Sequence, residues 1–132
     1  MAPTFTAIGI VTSNLPAALA FYRDLGIDIP AEADQAPHAE ADLPGGLRLM
    51  WDPLDTIHSF DPDFAPAKGD GRISLAFACA DPAEVDSTYA RMVEAGHVGH
   101  KEPWDAPWGQ RYAALHDPDG NGVDLFAALP TT

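Results

Sequence analysis

The chain repeats itself, and the repeat limits what it can fold into. "TAIGIVTSNLPAALAFYRDLG" (Thr6 to Gly26) and "ISLAFACADPAEVDSTYARMVEAG" (Ile73 to Gly96) share one design. Each starts with an apolar, β-prone run, breaks at a polar residue, and continues with apolar residues three and four apart. That last spacing is one face of a helix. In the first copy Asn14 is placed to cap the helix, Pro16 fits its first turn, and Leu15, Ala18, Leu19, Tyr22 and Leu25 form the face. In the second, Asp81 and Glu84 make a capping box, Pro82 takes the first helical position, and Val85, Thr88, Tyr89, Met92 and Val93 form the face. Gly26 and Gly96 each follow a helix where a left-handed residue is favoured.

The repeat continues beyond the helices. Short strands are expected at Ile27–Ile29 and around Val98–Lys101. "HAEADLPGGLRLMW" then reads as strand, Pro-Gly-Gly turn, strand, and "RYAALHDPDGNGVDLF" as strand, Asp-Pro-Asp-Gly-Asn turn, strand. The chain is therefore two strand–helix–strand–strand–strand modules offset by about 67 to 70 residues. Module one spans about 4–52, the linker about 53–71, and module two about 72–128 of a single domain, residues 1–132. The linker is rich in Pro, Asp and Gly but carries Phe60 and Phe64, which suits an ordered excursion that could wall a pocket.

Composition excludes several classes. Apolar residues make up 46% and charged residues 20%, a globular balance. A net charge of −13 opposes binding to phosphate backbones, so no nucleic-acid partner is expected. Between Asp28 and Asp70 ten acids face only Arg48 and Lys68; this run is either a solvated face or a field that attracts cations. The single cysteine, Cys79, sits in the apolar run "ISLAFACA" and reads as a buried structural thiol. "MAPTFTAIGI" has no basic region before its apolar run, and no run reaches the ~20 residues of a membrane span. A cytoplasmic protein with no membrane partner is expected.

"LAFYRDLG" in the first helix, "HDPDGNGVDLF" at the end and the paired βαβββ repeat resemble the vicinal oxygen chelate superfamily, which includes glyoxalases, bleomycin-resistance proteins and extradiol dioxygenases. The resemblance covers nearly the whole chain. It implies an α+β fold in which two βαβββ modules form curled half-barrel sheets around a cavity. In small members the cavity is often completed in a homodimer, sometimes a strand-swapped one.

The resemblance also implies where metal ligands would stand: on the first and last strand of each module. Seven residues before Asn14 and Asp81 are Ala7 and Ser74. The last-strand positions are Arg48 or Leu49, depending on one gap at Gly122, and Asp124. One carboxylate does not make a divalent site. The five histidines offer no clear replacement: His97 and His100 should face opposite sides of a strand, and His116 abuts the Asp-Pro turn. No metal and no other cofactor is expected.

The aromatic residues suggest a different use for the cavity. Trp104 and Trp108 lie in "KEPWDAPWGQRY", read as a loop leading into the third strand of module two. They either pack as lids over the core or contact a ligand. Strand alternation puts Phe126 on the same face as Asp124, and Ser74, Ala76 and Ala78 as well as Phe5, Ala7, Gly9 and Val11 on cavity faces. The resulting expectation is a metal-free protein of the bleomycin-resistance type. It would sequester a bulky aromatic antibiotic or natural product, cationic if the acids serve as counter-charges, and so confer drug resistance. Trp51, Trp104, Trp108, Tyr112 and Phe126 would stack on it. Asp124, Arg48, Ser74 and His38 would supply polar contacts, and Phe60 and Phe64 would flank it. The alternatives are a glyoxalase-like metal-dependent lyase, isomerase or dioxygenase, or a cofactor-free enzyme using Asp124, His38 or His116. No catalytic residue is assigned.

Overall fold

The structure is a computed structural model that describes residues 2–69 and 71–131; Asp70, counted above among the linker acids, lies outside them. The chain divides into two compact units, one up to Pro66 and one from Ala67 onward. Among the described residues no helix is long and apolar enough to cross a membrane.

The first unit contains strand β1 (Ala7–Thr12), helix α1 (Leu15–Asp24), strands β2 (Ala39–Asp42) and β3 (Arg48–Pro53) and the short helix α2 (Leu54–His58). Its sheet has the order β1-β3-β2, with β1 parallel and β2 antiparallel to β3. Asn14 caps α1 as its sequence suggested, accepting from the Ala17 N–H at 3.1 Å. The α1 residues Leu15, Ala18, Leu19, Phe21 and Tyr22 are buried, as are Ile10, Thr12, Ala39, Ala41, Leu49 and Trp51 of the sheet. Tyr22 meets the Trp51 ring at 5.4 Å between centroids and Phe21 edge-on at 5.0 Å. These rings form the centre of the unit's core.

No strand forms at Ile27–Ile29, so this sheet has three strands, one fewer than expected. Arg23 explains the loss. Its guanidinium donates to the carbonyls of Ile29 at 2.9 Å and Pro30 at 2.6 Å, and to Asp34 at 2.8 Å. Those carbonyls are acceptors that a strand would need for pairing, and Pro30 brings no N–H of its own. The chain turns instead into a 3-10 helix, Ala31–Gln35.

The second unit has strand β4 (Ser74–Ala78), helix α3 (Pro82–Glu94) and strands β5 (Val98–Ala106), β6 (Gln110–His116) and β7 (Gly122–Ala128). The sheet order is β4-β7-β6-β5, with β4 parallel to β7. Asp81 caps α3 through the Glu84 N–H at 2.8 Å, and Glu84 reaches back to the Ala80 N–H at 3.0 Å. One sheet face packs on α3 through Val85, Met92, Ala113, Leu115, Val123 and Leu125, all buried. Neither sheet closes into a barrel.

The "DPDGN" turn is held by its first acid. Asp117 is 2% exposed and accepts from the N–H groups of Asp119 and Asn121 and from the Asn121 side chain. This acid shapes the turn that delivers β7.

Replacing Trp51 with Ala should cost about 3–5 kcal/mol, the range for emptying a buried aromatic site. The same change at Trp108, which is 58% exposed, should cost less than about 1 kcal/mol. Urea unfolding of the two variants checks the contrast.

Candidate functional site

Strand alternation gives each sheet a face turned away from its helix. In the second unit that open face carries Ser74 on β4, Asp124 and Phe126 on β7, and Tyr112 and His116 on β6. Parallel pairing sets Ala76 against Asp124, which leaves Ser74 one pleat away. Ser74 Oγ donates to Asp124 Oδ2 at 3.0 Å, and the Tyr112 hydroxyl donates to the same oxygen at 2.7 Å. The other carboxylate oxygen, Oδ1, receives no hydrogen bond among the described residues. Burial, then the Asp124 hydrogen bond and charge, push the Tyr112 phenol up to about 12. Tyr112 therefore stays a proton donor to Asp124 at neutral pH.

Aromatic rings extend from this pair. Trp104 belongs to β5 rather than to a loop, and its register partner is Tyr112. Trp108 follows in the turn between β5 and β6. Trp104, Trp108 and Tyr112 meet edge-to-face at 5.5–5.8 Å between centroids, and Phe126 stacks on Tyr112 at 6.4 Å. Contacts this close leave no slot between the rings. They make a platform whose outer member is the exposed Trp108. Lys101 lies 4.9 Å above the Trp104 ring. Six of the predicted residues (Ser74, Trp104, Trp108, Tyr112, Asp124 and Phe126) thus lie together on one face.

Trp51 does not share this role. Its indole is fully buried against Tyr22 on the helix side of β3, which corrects the expectation that it stacks on a ligand. Leu49 is buried on the same side, and Arg48 alternates onto the open side. The ladders add a second correction. Gly122 pairs with Ser74 and His116, as Arg48 pairs with Ala7 and Asp42. The first-unit counterpart of Asp124 is therefore Met50, one pleat beyond Arg48.

Arg48 and His38 instead join an ionic chain on the first unit's open face. His38 Nδ1 lies 2.6 Å from Asp52 and Nε2 lies 2.7 Å from Glu40, while Glu40 accepts from Arg48 at 2.5 Å. Hydrogen bonds to Asp52 and then Glu40 raise the His38 pKa above 6.5. Phe60 is exposed, and the Phe64 carbonyl accepts from His58 Nε2 at 2.9 Å. Cys79 is half-buried; burial, followed by the Glu84 charge, raises its thiol pKa, which makes it a poor nucleophile.

Sequence reading missed one pair. His100 and His116 stack at 4.3 Å on the Asp124 face. A register shift between Gly99 and Lys101 leaves His100 outside simple alternation, so counting along the strand could not place it.

The residues at the family's ligand positions do not fit a divalent metal. The first unit offers a methyl group and either a guanidinium or a thioether. The second offers a hydroxyl and a carboxylate whose Oδ2 is already hydrogen-bonded twice. Among the described residues no group of three or more His, Cys, Asp or Glu is placed to hold a metal ion.

Two helix-backed sheets, each pairing its first strand parallel to its last, define the class. The profile of the Glyoxalase/Bleomycin resistance protein/Dioxygenase superfamily matches residues 4–125. The chain belongs to that superfamily. Similar solved structures include a glyoxalase/bleomycin resistance protein/dioxygenase from Nocardioides, 26% identical with a TM-score of 0.77, over 100% of this chain and 87% of that one. A family enzyme from Burkholderia phytofirmans PsJN is 20% identical with a TM-score of 0.80, over 94% and 98%. A glyoxalase-related enzyme from Fulvimarina pelagi is 20% identical with a TM-score of 0.79, over 96% and 88%. No curated protein matches the chain significantly.

Two predictions follow from these side chains. In Asp124→Asn the Tyr112 phenol should titrate below about 12 but above 10, because burial persists after the charge is gone. Ring-carbon NMR of labelled tyrosine reads this directly. The folded chain holds the His38 proton more tightly than the unfolded chain does. The His38 clasp should therefore stabilise fully below pH 6.5 and fade as pH rises through the raised pKa. His38→Gln should flatten that part of the curve of unfolding free energy against pH, by the small amount typical of solvent-screened pairs.

Proposed function

We propose that the protein binds a bulky, flat, aromatic antibiotic or related natural product carrying a positive charge, and holds it without chemical change. The observation that carries this reading is the Trp104–Trp108–Tyr112 platform beside Asp124. Exposed indole surface next to a carboxylate suits a cation on an aromatic frame. Asp124 Oδ1 is left to accept from the ligand, while Ser74 and Tyr112 fix the carboxylate's direction. The net charge of −13 favours encounter with such a molecule. The proposal includes a homodimer, which would cover the open face bearing Trp108 through a self-complementary contact. Sequestration in this form would confer resistance in a cell that makes the protein.

Titration calorimetry and tryptophan quenching against a panel of cationic aromatic antibiotics test the proposal. Saturable binding, with the compound recovered unchanged, is expected. Trp108→Ala should weaken it about threefold to thirtyfold, the scale of a cation–π contact. Asp124→Asn should weaken it about tenfold or more through loss of a charge-assisted hydrogen bond. Absence of saturable binding across the panel, or conversion of the bound compound, would overturn it.

A further inference from the structure

Helix α3 has more apolar surface than its sheet covers. Val85 and Met92 are fully buried, but Val93 on the same helix is 42% exposed. Beside Val93, at the margin of the helix–sheet packing, lies a solvent-open groove of about 510 Å³ between α3 and strands β5 and β6. That size falls within the range of about 300–1,000 Å³ for small-molecule sites. Its apolar lining is Tyr89, Ala90, Val93 and Pro103.

Gly99 seats the aromatic wall. A Cβ there would lie 2.8 Å from Tyr89 Cζ and nearer still to its hydroxyl oxygen. Only a residue without a side chain lets the phenol lie against β5.

The groove is also acidic. Asp86, Glu94, Glu102 and Arg111 complete its lining. Arg111 is engaged by Asp86 at 2.9 Å and Asp105 at 3.1 Å. No cation pairs with Glu94 or Glu102 among the described residues. Negative charge therefore remains beside the apolar lining.

We propose that this groove is a second binding site, separate from the Asp124 face, for a small hydrophobic organic cation. The apolar body rests on Tyr89, Val93 and Pro103, and the ammonium faces Glu94 and Glu102. Strand addition by a partner along β5 is disfavoured, because two register shifts and Pro103 interrupt that edge.

The probe is 4-phenylbutylammonium, with 4-phenylbutanol as its uncharged counterpart, titrated into the full-length protein and followed by amide NMR. Saturable shifts should centre on Tyr89, Ala90, Val93 and Glu102. The alcohol should bind at least about tenfold more weakly, and so should the ammonium to the double variant E94Q/E102Q, because the charge term is removed. Asp124→Asn should leave these shifts unchanged, which separates this site from the one proposed above. Shifts confined to the Asp124 face, equal binding of the alcohol, or no saturation at any soluble probe concentration would each overturn the proposal.

Discussion

In each unit the first strand runs parallel to the last, and the open faces depend on that pairing. A parallel neighbour cannot be reached by a tight turn, so a helix and further strands must intervene. The helix returns over one face of the sheet and covers it, leaving the other face bare. Residues far apart in sequence then become neighbours on the bare side. Ser74 reaches Asp124 across 50 positions because β4 lies against β7.

On that bare side the second unit presents a hydrogen-bonded acid. Two hydroxyls donate to one oxygen of Asp124 and fix the carboxylate's direction. Burial of the phenol, then the hydrogen bond and charge of Asp124, keep Tyr112 in its donating, protonated form. The first unit uses its bare face differently. Its charges satisfy one another in the Asp52–His38–Glu40–Arg48 chain, which leaves little for a ligand to pair with.

Much of this was legible in the sequence, and the gaps have physical causes. The capping residues Asn14 and Asp81, both long helices and the turn before β7 follow from local chemistry. Strand alternation correctly put Phe126, Asp124 and Ser74 on one face. The sequence misled at Trp51 because bulk and aromaticity suit a core and a ligand platform equally; only the packing of Tyr22 decides between them. It failed at Ile27–Ile29 because Arg23, several residues upstream, takes the backbone acceptors. It could not see His100 beside His116, since an irregular strand breaks the count. The choice of Arg48 or Leu49 as the counterpart of Asp124 rested on aligning two short runs, whereas the ladders select Met50.

The irregularity of β5 has a consequence for assembly. A sheet grows where an edge presents regularly spaced, unpaired amides and carbonyls. In the second unit β5 is interrupted twice and carries Pro103, whereas β4, at the opposite edge, is short and regular. The interrupted β5 edge is a poor template for a further strand, which protects that side of an aromatic-rich sheet from edge-to-edge growth.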